Sequence, residues 1–144
     1  MTSNQEGHFA DKHPADQRPD AVVVREVEKR VLDREMPCAV AFKIAEDLDK
    51  TPAQVGFAVD SLEIRLVKCQ LGLFGYTPHK RIAKPARQVK AHLEEAIRKA
   101  LVDGRLPCAS AWRIARELGM RKMEVSSACE ALEIKISSCQ LGAF

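Results

Sequence analysis

Shifted along itself by 70 residues, the chain meets its own pattern: PCA at 37–39 falls on PCA at 107–109, LEI at 62–64 on LEI at 132–134, and CQLG at 69–72 on CQLG at 139–142. Ala41, Ile44, Ala45, Leu48, Val55, Ala58 and Phe74 likewise fall on Ala111, Ile114, Ala115, Leu118, Val125, Ala128 and Phe144. No other feature constrains the fold as strongly, because whatever structure one copy adopts must suit the other. Two copies are too few for a solenoid, which needs about three or more repeats to bury a continuous core. The duplication therefore predicts a pair of tandem domains.

The strongest local pattern lies in Ala111 to Glu130, and Ala41 to Asp60 repeats it. In the second copy Ile114, Ala115 and Leu118 line one face of a first helix, and Val125, Ala128, Cys129 and Leu132 line the next. Gly119 sits between them, free to take the left-handed conformation a tight corner needs, and Ala115 is small enough for helices to cross over it. In the first copy Thr51-Pro52-Ala53-Gln54 reads as a capping box with proline at the first helical position.

Around each corner the order is helix, short segment, helix, turn, helix, strand. Val24, Val27 and Val31 mark a first helix from Ala21 to about Glu35, with Asp20 as its N-cap. Met36 to Cys38, or Leu106 to Cys108, is the short segment, and Ile64 to Cys69 is β-branched and partly alternating, as a strand requires. In the second copy Pro85 is expected to start the long helix, whose stripe is Val89, Leu93, Ala96, Ile97, Ala100 and Leu101, with Asp103-Gly104 ending it. Residues 1–20 are polar, hold Pro14 and Pro19, and are expected to be a disordered tail; residues 77–85 read as a basic linker.

This order resembles the winged-helix branch of the helix-turn-helix superfamily, over residues 21–76 and 86–144. The fold class expected is mainly α with short β strands, as two tandem winged-helix/helix-turn-helix-like domains. The departure is at the wing, where each copy shows one strand, and a lone strand leaves its N–H and C=O groups unpaired. A return strand from GLFGY or GAF, or pairing between copies or between chains, answers that need, so a homodimer is one expectation.

Composition sets the outer bounds. With 46% hydrophobic and 30% charged residues the chain has ordinary globular content. No apolar run approaches the roughly 20 residues of a membrane helix, and the first 20 residues lack the apolar core of a secretory signal, so no membrane partner and a cytoplasmic location are expected. The net charge of +3 hides an asymmetry: residues 1–75 carry 10 Lys+Arg against 13 Asp+Glu, and residues 76–144 carry 13 against 7. That second half, at +6, points to a polyanion.

The resemblance implies that the third helix of a copy enters the DNA major groove with its N-terminal residues on base edges and phosphates. Carried over residue by residue, it singles out Arg121, Lys122, Met123, Ser126 and Ser127. Two cations at a helix N-terminus oppose its dipole by about 0.3–1 kcal/mol per charge, and a bound phosphate reverses that sign. The linker cations Lys80, Arg81, Lys84 and Arg87 would add phosphate contacts to double-stranded DNA. The first copy offers Thr51, Pro52, Ala53, Gly56 and Phe57 at the same places, with no cation, so its helix suits a protein contact or dimer seam, or Phe57 folds back on its own domain.

The cysteines offer another chemistry. Cys38 and Cys69 recur as Cys108 and Cys139, whereas Cys129 aligns with Val59 and reads as a core thiol. Pairing of the short segment with the later strand would bring Cys38 towards Cys69 and Cys108 towards Cys139, as redox pairs or, four together, a zinc site. Against this stand the absence of any C-x-x-C and the ease with which Cys packs as a small hydrophobe. No phosphate loop, dinucleotide glycine pattern, H-E-x-x-H or G-x-S-x-G is present, His79 and His92 have no partner nucleophile nearby in sequence, and no cofactor is implied. The leading expectation is a DNA-binding, transcription-regulatory protein that is not an enzyme. The alternatives are an interaction or dimerisation scaffold and a cysteine-based redox or metal sensor.

Overall fold

The computed structural model describes residues 8–144. Among the described residues there are six α-helices and four short strands, mainly α as the periodicity requires. The chain divides into two units: the residues up to Cys69 together with Gln140–Phe144, and Gln70–Cys139. The sequence repeats end elsewhere. Residues 70–76, which close the first repeat, group with the second unit, and the last five residues group with the first.

In the first unit α1 (Ala21–Arg30) starts at Asp20, whose carboxylate accepts from the Val22 and Val23 amides, as the N-cap pattern predicts. Of the expected stripe only Val27 is fully buried, with Val23 beside it while Val24 and Val31 are half-buried, and the helix ends at Arg30 rather than near Glu35 because Val31, its C-cap, is extended. Next come β1 (Glu35–Pro37), α2 (Cys38–Leu48), α3 (Pro52–Ser61) and β2 (Arg65–Val67). The capping box at Thr51 forms in both directions, Thr51 Oγ1 accepting from the Gln54 amide and Gln54 Oε1 from the Thr51 amide. Helices α1 and α2 pack on α3 around Ala41, Ile44, Val55, Ala58 and Val59. Met36 and Leu66, opposite each other in the strands and fully buried, each contribute about 1.5–3 kcal/mol of apolar burial.

The second unit repeats the order with α4 (Ala91–Lys99), β3 (Leu106–Pro107), α5 (Cys108–Leu118), α6 (Lys122–Ala131) and β4 (Ile136–Ser137). Its core holds Leu93, Ile97, Leu106, Ile114, Val125, Ala128 and Cys129. Gly119 closes α5 at φ +65°, the left-handed turn expected of it, and Asp49 takes the equivalent place after α2 at φ +54°.

Three expectations are corrected here. The short segment pairs with the later strand, as one of the expectations had it: β2 runs parallel with β1, Met36 against Leu66, and β4 with β3, Leu106 against Ile136. The GLFGY and GAF stretches form turns and coil rather than return strands, so strand pairing gives no reason for a dimer. The long helix of the second unit begins at Ala91 and not at Pro85. Lys90 is its N-cap in extended conformation, and the Ala86 amide is spent on the Ser127 carbonyl at 3.0 Å, outside any helix.

The third correction is at the tail. Residues 1–7 lie outside the described residues, but residues 8–20 are ordered on the first unit rather than disordered. Phe9–Lys12 make a single 3₁₀ turn, and Phe9, the one aromatic among these polar residues, is buried against the unit. The Glu63 carboxylate accepts from the Phe9 and Ala10 amides at 2.7 and 3.1 Å. One apolar anchor and one paired carboxylate offset the ordering entropy that a polar composition leaves uncompensated.

Candidate nucleic-acid interface

The residues expected to read DNA separate into two groups. Arg121, the N-cap of α6, is the most open, with its side chain 87% exposed. An Arg side chain has no acceptor, so it cannot cap the first amides of the helix. Its own amide donates to Glu124 Oε2 at 2.9 Å, and its guanidinium stands 3.6 Å from the same carboxylate. Lys122 leans over the Trp112 ring, its ammonium 4.4 Å from the centroid, a cation–π contact that holds it at the helix start. Met123 is exposed.

Ser126 and Ser127 are different. Ser126 is 1% exposed, and its hydroxyl donates to the Leu71 carbonyl at 2.6 Å. Ser127 is half-buried, and its carbonyl accepts from Ala86. The stretch Leu71–Ala86 lies along this side of α6: the Gly72 carbonyl accepts from the Ile82 and Ala83 amides, a Cβ on Gly72 would come within 3.0 Å of Met123 Sδ, and Arg81 is ion-paired with Glu130. Ser126 is therefore not a base reader, because its one proton is committed inside the protein. Arg81 stays 47% exposed, but its charge is shared with Glu130, which competes with a phosphate for it. The linker is itself part of the fold, with its Ala83 buried, as are Leu71 and Phe74 just before it.

Lys80, Lys84 and Arg87 are exposed, as is Lys90 at the N-cap of α4, a cation that the linker boundary hid. The second unit thus keeps exposed cations both at the start of α6 and along residues 80–90.

In the first unit the corresponding helix face is occupied. The His13 ring lies 4.6 Å from the Phe57 ring, so Phe57 folds back as one of the expected outcomes had it. Asp60, 2% exposed, takes His13 Nε2 at 2.7 Å and Lys12 Nζ at 3.1 Å. Burial pushes its carboxyl above the usual range, with the His13 and Lys12 contacts pulling the other way. Sequence reasoning missed this cluster. The available signal was an aspartate at the end of an otherwise apolar helix, which needs a partner when buried.

All five cysteines are thiols rather than disulfides. Cys38, Cys69, Cys108 and Cys129 are buried and Cys139 is half-buried. The parallel strands carry Cys38 and Cys108 to the first position of α2 and α5, following Pro37 and Pro107. Among the described residues no group of three or more His, Cys, Asp or Glu side chains is placed to hold a metal ion, so the four-thiol zinc site is not formed. Cys38 and Cys108 occupy helix starts, and Cys69 and Cys129 are buried in their units. Burial pushes the Cys129 thiol up to about 11, away from the thiolate that redox chemistry needs.

Among the described residues no helix is long and apolar enough to cross a membrane. In comparison with known proteins, the chain matches no family model, no curated sequence and no solved structure.

Proposed function

We propose that the chain is a DNA-binding regulatory protein of two tandem winged-helix-like domains, in which the second unit grips the phosphate backbone of double-stranded DNA. The observation that carries this reading is the start of α6, where an 87% exposed Arg121 and the ring-supported Lys122 flank helix amides that no side chain of the N-cap satisfies. A phosphate there is met by the helix dipole, by open N–H groups and by two cations. Lys80, Lys84, Arg87 and Lys90 extend the charge, and the +6 balance of the second half favours a polyanion. With Ser126 committed to Leu71, base contact falls to Arg121, Met123 and Ser127, so affinity is dominated by phosphate contacts and depends steeply on salt.

The test is fluorescence anisotropy of a labelled duplex across a salt series. Wild-type affinity falls steeply with salt, and Arg121→Ala/Lys122→Ala reduces the slope by about 2 × 0.9, the loss of two phosphate contacts. Absence of binding at low salt would refute the proposal.

One observation favours an interaction scaffold instead. Leu32 and Val102, aligned by the 70-residue shift, are 74% and 58% exposed, each beside a tight turn. In that reading Leu32→Ser/Val102→Ser abolishes partner capture while leaving thermal stability unchanged.

A further inference from the structure

Two helix positions that align across the repeat, Gly56 on α3 and Ser126 on α6, meet equivalent partners. At Gly56 the partner is the Leu141 carbonyl, and a Cβ added there would come within 2.7 Å of the carbonyl carbon. At Ser126 the partner is the Leu71 carbonyl, held by the hydroxyl at 2.6 Å. Leu71 and Leu141 also align, both are buried, and each is followed by a glycine with positive φ, +76° at Gly72 and +84° at Gly142. The same recognition is thus made twice, once in each unit, by different means.

Its chemistry can be read from the first unit. The Leu141 and Ala143 side chains are buried, so the segment is anchored by alternate apolar residues. Gly142 adopts a conformation that residues with a Cβ rarely take, which makes the residue after the leucine part of the motif. Lys12 Nζ donates to the Gly142 carbonyl at 2.9 Å. Gly56, mid-helix where glycine costs about 0.5–1 kcal/mol relative to alanine, is the one residue that lets another backbone come this close. Seat and segment are far apart in sequence: Lys12 and Gly142 are separated by 130 residues.

We propose that the Gly56 face of α3 is a docking seat for a Leu-Gly segment, and that it takes Gln140–Phe144 from a second copy of this chain through the same contacts as from its own. Exchange preserves every contact just described, because each involves one short contiguous segment and a seat made of α3 and the Phe9–Lys12 turn. The chain's own segment competes at an effective concentration on the order of millimolar, so exchange becomes dominant only when the internal segment is disabled or the protein is very concentrated. The expected assembly is a dimer with reciprocally exchanged segments.

Two full-length variants test it. Leu141→Asp disables the segment and leaves the seat; Gly56→Gln blocks the seat and leaves the segment. Each alone is monomeric by light scattering, and an equimolar mixture forms a one-to-one heterodimer, since the intact segment of one fills the intact seat of the other. A labelled peptide with the sequence of residues 138–144 binds the Leu141→Asp chain saturably. Gly142→Val in the peptide, or Gly56→Gln added to the chain, weakens it by about tenfold or more, the ratio expected for losing one well-made contact. A mixture that stays monomeric, with no peptide binding, overturns the proposal, as does a dimer that survives Gly56→Gln and Leu141→Asp combined in one chain. Should circular dichroism show either variant unfolded, the wild type is refolded from denaturant at about 1 mM and at about 10 μM, either side of the effective concentration. A dimer confined to the concentrated sample supports the exchange, and monomer in both refutes it.

Discussion

Ser126→Ala separates a reading hydroxyl from a structural one. The structure buries Ser126 at 1% exposure with its hydroxyl 2.6 Å from the Leu71 carbonyl, closer than the Met123 carbonyl at 3.1 Å. Removing that donor strands a buried acceptor at about 1–3 kcal/mol. Alanine returns about 0.5 kcal/mol of helix propensity. The net loss is about 0.5–2.5 kcal/mol, or about 2- to 60-fold in the unfolding equilibrium at about 1.4 kcal/mol per tenfold. With a urea dependence of about 2 kcal/mol/M, the midpoint falls by about 0.3–1.2 M. The assay is urea unfolding followed by the emission of Trp112, the single tryptophan of the chain and a residue of α5 in the same unit. Phosphate-dominated DNA affinity of the folded variant is expected to be unchanged. An unchanged midpoint together with weakened DNA binding would refute the reasoning, because the hydroxyl would then be acting outward.

Two other predictions concern titratable groups. Burial raises the Asp60 carboxyl, so the native state holds its proton to higher pH than the unfolded chain does. Stability contributed by this group is therefore full below the ordinary aspartate value and is lost as pH rises through the raised one. As pH rises from the ordinary aspartate value, the wild type should lose thermal stability relative to Asp60→Asn; a relative gain would contradict the assignment. At the cysteines, titration with a thiol reagent at about pH 8 should modify half-buried Cys139 first and Cys129, pushed up to about 11, last. Mass spectrometry of partly modified protein gives the order, and equal rates at the two would show that α6 opens readily.

What was legible in the sequence was local. Asp20, Thr51 with Gln54, and Gly119 act within a few residues of themselves, so their caps and turns could be read directly, and the 3.6-residue stripes located α2, α3, α5 and α6. The start of α4 was misread from Pro85, although the repeat itself aligned Ala91 with Ala21. The parallel pairing of β1 with β2 joins residues about 30 apart with no turn signal between them, so it could be expected only from the resemblance and not from local pattern. The position of the cations Arg121 and Lys122 at the start of α6 was legible because they directly precede its helical pattern. Ser126 was misjudged because its partner lies 55 residues away, and Asp60 was overlooked because His13 lies 47 away. Periodicity carries no information at such distances.

Gly56 and Ser126 share a column when the halves are aligned, yet they tolerate change in opposite directions. The first has no room to gain an atom, and the second cannot lose one without stranding a carbonyl. An averaged consensus, copied into both halves, would therefore damage at least one of them whichever residue it chose. At that position the two copies are not interchangeable, and neither is a spare part for the other.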